Sequence, residues 1–267
     1  MKDYVLELTA SKEGERAKLN IMREYLQAYI LRIMHDNKVF QNCAFLGGAA
    51  LRFLYHLPRF SEDLDFSLVR GSSPFLMIIQ NVKRELSLAG YNISVSYNDQ
   101  KTVKAAFMKF EGLMHEAGIS PHKGQKFSVK IELDTNPPAG GILKTEIVNK
   151  YFPISFLSYD LSSLFAGKIG AVLSRKYTKG RDYFDLGWYL SRWRDIAPNI
   201  TLLNNALDQT GYKGQRPTEI NWRDCLHVIV EKADWAKVYR DVESFLENVP
   251  DMDIFTKENV LGLIKGA

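Results

Sequence analysis

Two adjacent glycines, Gly47-Gly48, followed after one amphipathic segment by Asp63-Leu64-Asp65, limit this chain more than any other feature. Glycine lets the backbone approach a ligand closely and take positive φ without a Cβ penalty. The segment the glycines open reads as a helix, whose first N–H groups and positive dipole end would face an anion such as a phosphate. The next stretch reads as a strand, with Phe60, Glu62, Leu64 and Phe66 on one face and Ser61, Asp63, Asp65 and Ser67 on the other. Carboxylates two residues apart on a strand point the same way and can share a divalent cation. Alone, a glycine pair is often a tight turn, and Asp-x-Asp is often a solvated surface. In succession, separated by one helix, they are the minimum equipment for moving a nucleotidyl or phosphoryl group.

The remaining pattern says what this kernel sits in. Ser11 to Asn37 reads as a long amphipathic helix, with Leu19, Met22, Leu26, Tyr29, Ile30 and Ile33 at helical spacing. Pro74 opens a second helix that runs to about Ala89, just ahead of Gly90. Tyr91 to Tyr97 and Thr102 to Phe110 read as strands joined by the polar turn Asn98-Asp-Gln-Lys101, and Gly112 to Lys126 reads as a loop. The cleanest strand is Lys126 to Asp134. Its buried face is Phe127, Val129, Ile131 and Leu133, and its other face is Lys126, Ser128, Lys130, Glu132 and Asp134.

From Asp160 onward the period is helical. Asp160 is placed to cap a helix over Leu161 to Arg175. Another helix starts at Arg181, and a helical tail follows from Asn199 to Ala267, with apolar spacing over Trp222 to Val249. The expected class is α+β, a mixed sheet flanked by helices over residues 1–155 and a helical domain over residues 156–267. His115 and His122 match no metal-ligand spacing, His35 reads as a partner of the helix C-terminus, and His227 reads as packed and hydrogen-bonded. Trp222 and Trp235 read as core.

Composition narrows the class further. The 267 residues are 46% hydrophobic and 25% charged, ordinary for a globular protein of one large domain or two modest ones. A net charge of +4 permits an RNA or nucleotide partner. Cys43 and Cys225 stand far apart in apolar surroundings, which suits reduced thiols and not a disulfide framework. The start, Met1-Lys-Asp-Tyr-Val-Leu-Glu-Leu, lacks the apolar core of a signal peptide. No apolar run approaches the ~18 residues of a membrane span. A cytoplasmic location without a membrane partner is the expectation.

The order Gly-Gly, helix, Asp-x-Asp resembles the signature of the DNA polymerase β-like nucleotidyltransferase superfamily. Gly47-Gly-Ala-Ala-Leu51 with Ser61-Glu-Asp-Leu-Asp-Phe66 looks, more narrowly, like the AbiEii/AbiGii toxin family of nucleotidyltransferases. Later in the chain, Lys168…Arg175…Arg181-Asp182-x-x-Asp185-Leu186 resembles further motifs of the same family. The resemblance spans roughly Phe45 to Leu190 and implies a nucleotidyltransferase-like sheet.

It also implies roles. Asp63 and Asp65 would hold Mg²⁺ or Mn²⁺ with a third carboxylate from a neighbouring strand, Asp134 first and Glu132 as the alternative. Gly47 and Gly48, with Arg52, Ser61 and Arg175 nearby, would position the phosphates of a nucleoside triphosphate. Lys168 would offset the charge of the triphosphate and its leaving pyrophosphate. Asp182 or Asp185 would orient that lysine or accept a proton, Asp182 first on spacing. The helical domain would thus contribute Lys168 and Asp182 or Asp185 to the site.

The implied biology is the toxin of a type IV toxin–antitoxin or phage-defence system, with a separately encoded antitoxin as partner. It would transfer a nucleotide to RNA, tRNA 3′ ends being the kind of target the family resemblance brings. Two departures stand out: Ala49 occupies the usual threonine or serine position, and shortly after Asp134, past Thr135, comes Asn-Pro-Pro. The same site would also serve a small-molecule nucleotidyltransferase of the antibiotic-modifying kind, or a nucleotide- or RNA-binding module without catalysis. Intact Asp63 and Asp65 favour an enzyme.

Overall fold

The computed structural model describes residues 1–247 and 251–266. The fold is α+β, a mixed seven-stranded sheet in the order β3-β4-β5-β2-β1-β7-β6 together with helices. The N-terminal helices are α1 (Lys2–Ala10) and α2 (Glu15–Asp36), followed by β1 (Cys43–Leu46), α3 (Gly47–Tyr55), β2 (Asp63–Leu68) and α4 (Phe75–Leu88). Next come β3 (Ile93–Asn98), β4 (Val103–Phe110), α5 (Leu113–Glu116), β5 (Phe127–Asp134), β6 (Leu143–Asn149) and β7 (Pro153–Tyr159). The chain then continues through α6 (Leu161–Ser174), α7 (Gly180–Arg192), α8 (Ile200–Gln209), α9 (Trp222–Lys232), α10 (Trp235–Glu243), α11 (Asp251–Ile254) and α12 (Lys257–Lys265).

The chain divides into two compact units. The first comprises Met1–His56, Phe60–Pro137 and Thr145–Ser158; the second comprises Leu57–Arg59, Pro138–Lys144 and the chain from Tyr159 onward. A single break after residue 155 contains no hint of the two short segments that join the second unit.

In the first unit, β2 runs parallel to β5 and antiparallel to β1. Leu64, Phe66, Ala106, Met108, Val129, Ile131 and Leu133 are buried on one face of the sheet. Helices α2 and α4 pack on β3, β4 and β5. Met22, Leu26, Ile30 and Ile33 of α2 are buried, the stripe that its apolar period requires. That helix begins at Glu15, not Ser11, because Gly14 takes φ 79° and breaks the chain direction. The separate helix α1 ahead of it escapes a reading by period. It is too short to be stable alone, and it packs on α2 through Val5 and Thr9.

Strands β6 and β7 were not readable by alternation. β7 lies parallel to β1 with Phe45 opposite Ser158, and most of it is buried. A buried parallel strand reads as a continuous apolar run, not a period of two.

In the second unit, the side chain of Asp160 caps α6 by accepting from the Ser163 amide at 2.8 Å. The tail expected over Trp222 to Val249 is two helices, with Asp234 capping α10 by accepting from the Lys237 amide. Val249 and Ala267 lie outside the described residues. Trp222 and Trp235 are core, and Trp235 donates its indole N–H to the Val230 carbonyl at 3.0 Å. Cys43 and Cys225 are both free and buried, and burial pushes the Cys43 thiol up to about 11. Among the described residues no helix is long and apolar enough to cross a membrane.

Candidate active site

The geometry at the glycine pair is set by contact with a carboxylate. β1 ends at Leu46, directly opposite Asp65 on β2, and α3 starts at the next residue. Gly47 takes φ 79°, and a Cβ placed there would come within 2.9 Å of the Asp65 Cγ. Only glycine lets the Asp65 carboxylate lie against the first residue of the helix. Leu46, the residue before α3, makes no side-chain cap. The first amides of a helix have no intrahelical acceptor and point toward an anion placed there, on the side where that carboxylate lies.

This contact yields a first prediction. Alanine at Gly47 would carry both a positive-φ cost of about 1–3 kcal/mol and a direct overlap with Asp65. Gly47→Ala is expected to lower the melting temperature. It should also cut kcat for transfer by about 10²-fold or more, the usual consequence of moving a reacting group by an ångström. Steady-state kinetics and thermal unfolding check both.

Strand β5 supplies the neighbours of the carboxylate pair. Its register sets Lys130 beside Asp63, Glu132 beside Asp65 and Asp134 beside Ser67. The ammonium of Lys130 pairs with Glu132 at 2.8 Å. Burial pulls the Lys130 pKa down, but the bond and charge of Glu132, with the charges of Asp63 and Asp65, outweigh it and hold the group above its ordinary value. The Lys130 ammonium thus lies among carboxylates of β2 and β5 whose oxygens a divalent cation can share. The donors are all oxygen, which suits Mg²⁺.

Among the described residues no three His, Cys, Asp or Glu side chains converge as a ready-made metal cage. A carboxylate pair that relies on phosphate oxygens and water for the remaining positions is the usual Mg²⁺ arrangement.

Two expected residues are placed elsewhere. Asp134, the first choice for the third carboxylate, is two residues farther along β5, roughly 6.6 Å at a strand's rise, and accepts from the Asn136 amide in a turn. The register sets Glu132, the alternative, directly beside Asp65. Arg52, expected near the phosphates, is 4% exposed and forms an ion pair with Glu24 of α2. Its guanidinium lies 3.9 Å from the centroid of the Phe60 ring. Lys150 and Tyr151 also hold Glu24, at 2.9 and 2.8 Å. Burial raises the Glu24 pKa, yet Arg52 and Lys150 outweigh it and the net direction is down. Arg52 therefore ties α3 to α2 through a buried ion pair. Ser61 is buried, and its carbonyl accepts from Gln27 at 3.0 Å.

In the second unit a cluster of charge surrounds α6 and α7. The ammonium of Lys168 on α6 sits 2.7 Å from Asp185 and 3.5 Å from Asp182, both on α7. Arg175 reaches Asp182 at 3.2 Å. Arg59 grips Asp185 with two bonds of 2.6 Å, at a carboxylate with no exposed surface. Burial pushes Asp185 up, but Arg59 and Lys168 more than offset it and the group ionises below the usual carboxylate range. Lys179, at the start of α7, is pulled down by burial and then by Arg181. Gly180 is obligatory, since a Cβ there would lie 2.9 Å from the Val238 backbone of α10.

Lys168, Arg175, Asp182 and Asp185 thus come together, as their order in the sequence implied. Arg59 is the member that local pattern could not reveal, because its partner is 126 positions away. His227 sits apart from this cluster, in a cleft of about 450 Å³ with Ile220, Arg223, Asp224, Ile264 and Lys265. Its Nε2 has no hydrogen-bond partner among the described residues.

Residues 29–256 match the family described as nucleotidyl transferase AbiEii toxin, type IV TA system. The chain belongs to the AbiEii nucleotidyltransferase toxin family. No curated protein matches the chain by sequence. Solved structures share the fold. MenT4, a nucleotidyltransferase toxin from Mycobacterium tuberculosis, is 15% identical with a TM-score of 0.63, over 100% of this chain and 89% of that one. JHP933 from Helicobacter pylori is 18% identical with a TM-score of 0.53, over 91% of this chain and 88% of that one. A putative nucleotidyltransferase from H. pylori is 17% identical with a TM-score of 0.54, over 92% of each chain. AbiEii membership makes the chain a nucleotidyltransferase toxin that uses a nucleoside triphosphate.

Proposed function

We propose that this toxin transfers a nucleoside monophosphate from a Mg²⁺-bound triphosphate to the 3′ end of an RNA, a tRNA in the first instance, in the bacterial cytoplasm, and that a separately encoded antitoxin restrains it. The observation that carries the reading is the seating of Asp65 against Gly47 at the start of α3. That arrangement sets phosphate-binding amides beside a cation-binding carboxylate.

In this reading the amides of Gly47 and Gly48 bind phosphate oxygens, and Asp63 and Asp65 hold the cation. The ion, when bound, neutralises phosphate charge and makes the acceptor hydroxyl easier to deprotonate. The hydroxyl oxygen attacks the α-phosphorus in line, the bond to the bridging oxygen breaks, and pyrophosphate leaves. A carboxylate of the Asp63, Asp65 and Glu132 group takes the hydroxyl proton. Glu132 takes the third-carboxylate role on the strength of its register beside Asp65.

Lys168 is assigned to the charge of the leaving pyrophosphate, on its order before Arg175 and Asp182 in the family pattern. Asp185, buried and doubly bound, orients Lys168, and Asp182 is the more loosely held carboxylate. Lys168→Ala is therefore expected to lower kcat by roughly 10²-fold with little change in the KM for triphosphate. A rise in KM alone would reassign it to ground-state binding.

The direct test is incubation with each labelled triphosphate, Mg²⁺ and total tRNA, with an aminoglycoside in parallel. Label on tRNA supports the reading; label confined to the aminoglycoside overturns it.

A further inference from the structure

The sheet face that carries Asp63 and Asp65 does not end at β5. Strand register lays out rows across it. Asp63, Lys130 and Phe107 occupy one row, with Ser96 next on β3. Asp65, Glu132 and Ala105 occupy the adjacent row, with Asn98 beyond. Alternate residues of β4 (Ala106, Met108, Phe110) fill the core, whereas Val103 and Phe107 are 43% and 39% exposed on the opposite side. An exposed phenylalanine flanked by alanine, serine and lysine side chains is costly to leave in water. Phe107 also stands two strands from the carboxylate pair, roughly 10 Å at ordinary strand spacing.

We propose that Phe107 is a stacking platform for the terminal base of the nucleic-acid acceptor, in the row that ends at Asp63. The inference rests on the transfer reading and adds where the acceptor lies. In-line displacement requires the attacking and leaving oxygens on opposite sides of the α-phosphorus. The helix N-terminus at Gly47 lies on the β1 side of Asp65, so the phosphates extend that way. The attacking hydroxyl must then arrive from the β5 side, over Glu132 and Lys130, and its own base falls over β4.

The chemistry along the row fits a polyanion that ends in a flat ring. The Lys130 ammonium is 5.9 Å from the Phe107 ring centroid and feels both aspartates, so it puts positive charge between the platform and the carboxylate pair. That is the stretch in which the last phosphodiester of the acceptor would run. Lys109, one row away on β4, adds a second positive charge on the same face. Aromatic stacking accepts any base, and single-stranded RNA ends present theirs unpaired.

The test uses the full-length protein with Asp65→Asn to hold the acceptor unreacted, and a short RNA ending in 2-aminopurine as probe. Stacking on Phe107 should quench the probe, Phe107→Tyr should retain the quenching, and Phe107→Ala should weaken binding about tenfold or more. Because Phe107 is on the exposed side of the sheet, Phe107→Ala should unfold at the parent temperature. In the active enzyme the same variant should raise the KM for RNA and leave the KM for triphosphate unchanged.

Unaltered RNA binding in Phe107→Ala overturns the proposal, as does a change confined to triphosphate KM, which would give the ring to the nucleotide base. Quenching by a protein that transfers nothing to RNA would uphold the platform while contradicting the transfer reading. Transfer to RNA unaffected by the substitution would do the reverse.

Discussion

Asp65→Ala is expected to abolish nucleotide transfer while the protein folds as before. The absence of a side chain at Gly47 lets the carboxylate lie at the mouth of α3. In the proposed mechanism, losing it removes one of the two carboxylates that hold the cation and takes negative charge from the helix start. The loss should exceed about 10³-fold, above the ~10²–10³ typical of one lost hydrogen-bond donor, because it acts on both metal and phosphate. Stability should be unchanged or slightly raised. Asp63, Asp65 and Glu132 crowd negative charge around Lys130, and removing one relieves repulsion. A transfer assay together with thermal unfolding separates the two effects, and a variant that is inactive only because it is unfolded would fail the second.

Asp185→Ala should have the largest effect on stability. The substitution leaves Arg59, 3% exposed, and Lys168, 12% exposed, facing a hole where their shared carboxylate stood. Breaking one side of a buried pair typically costs about 3–5 kcal/mol, since the stranded charge has no water to replace its partner. Denaturant titration at neutral pH reads that loss.

The same carboxylate gives the wild type an acid limit. Asp185 and Glu24 ionise below their ordinary values in the folded protein, so the unfolded chain binds more protons across that interval. Their contribution is complete above the ordinary carboxylate range and is lost as pH falls through the lowered folded values. Acid unfolding should therefore set in below the usual carboxylate range, and Asp185→Asn should flatten part of that pH dependence.

How far the sequence announced this arrangement depends on how local each feature is. Gly47 through Asp65 is contiguous, and its positive φ, helix start and strand alternation are all short-range properties, so the kernel was plain. The third carboxylate was not. Alternation shows which side of β5 a residue faces, but only the pairing of β5 with β2 decides that Glu132, not Asp134, stands beside Asp65. Arg52 looked like a phosphate contact because a cation follows a glycine pair. Glu24, on a helix far back in the sequence, turned it inward. Arg59 escaped notice for a similar reason, since a single arginine before a strand carries no sign of a buried aspartate more than a hundred residues later. Strand β7 shows no alternation because most of it is buried, and burial on both faces erases a period of two.

The seat formed by Gly47, Asp63 and Asp65 can be interrogated without turnover. Calorimetric titration of a non-hydrolysable α,β-methylene triphosphate, with and without Mn²⁺, reports whether those residues hold a metal–triphosphate complex. Binding should require Mn²⁺ in the wild type and vanish when both Asp63→Asn and Asp65→Asn are present. Equally tight, metal-dependent binding by that double variant would place the triphosphate elsewhere and contradict the account.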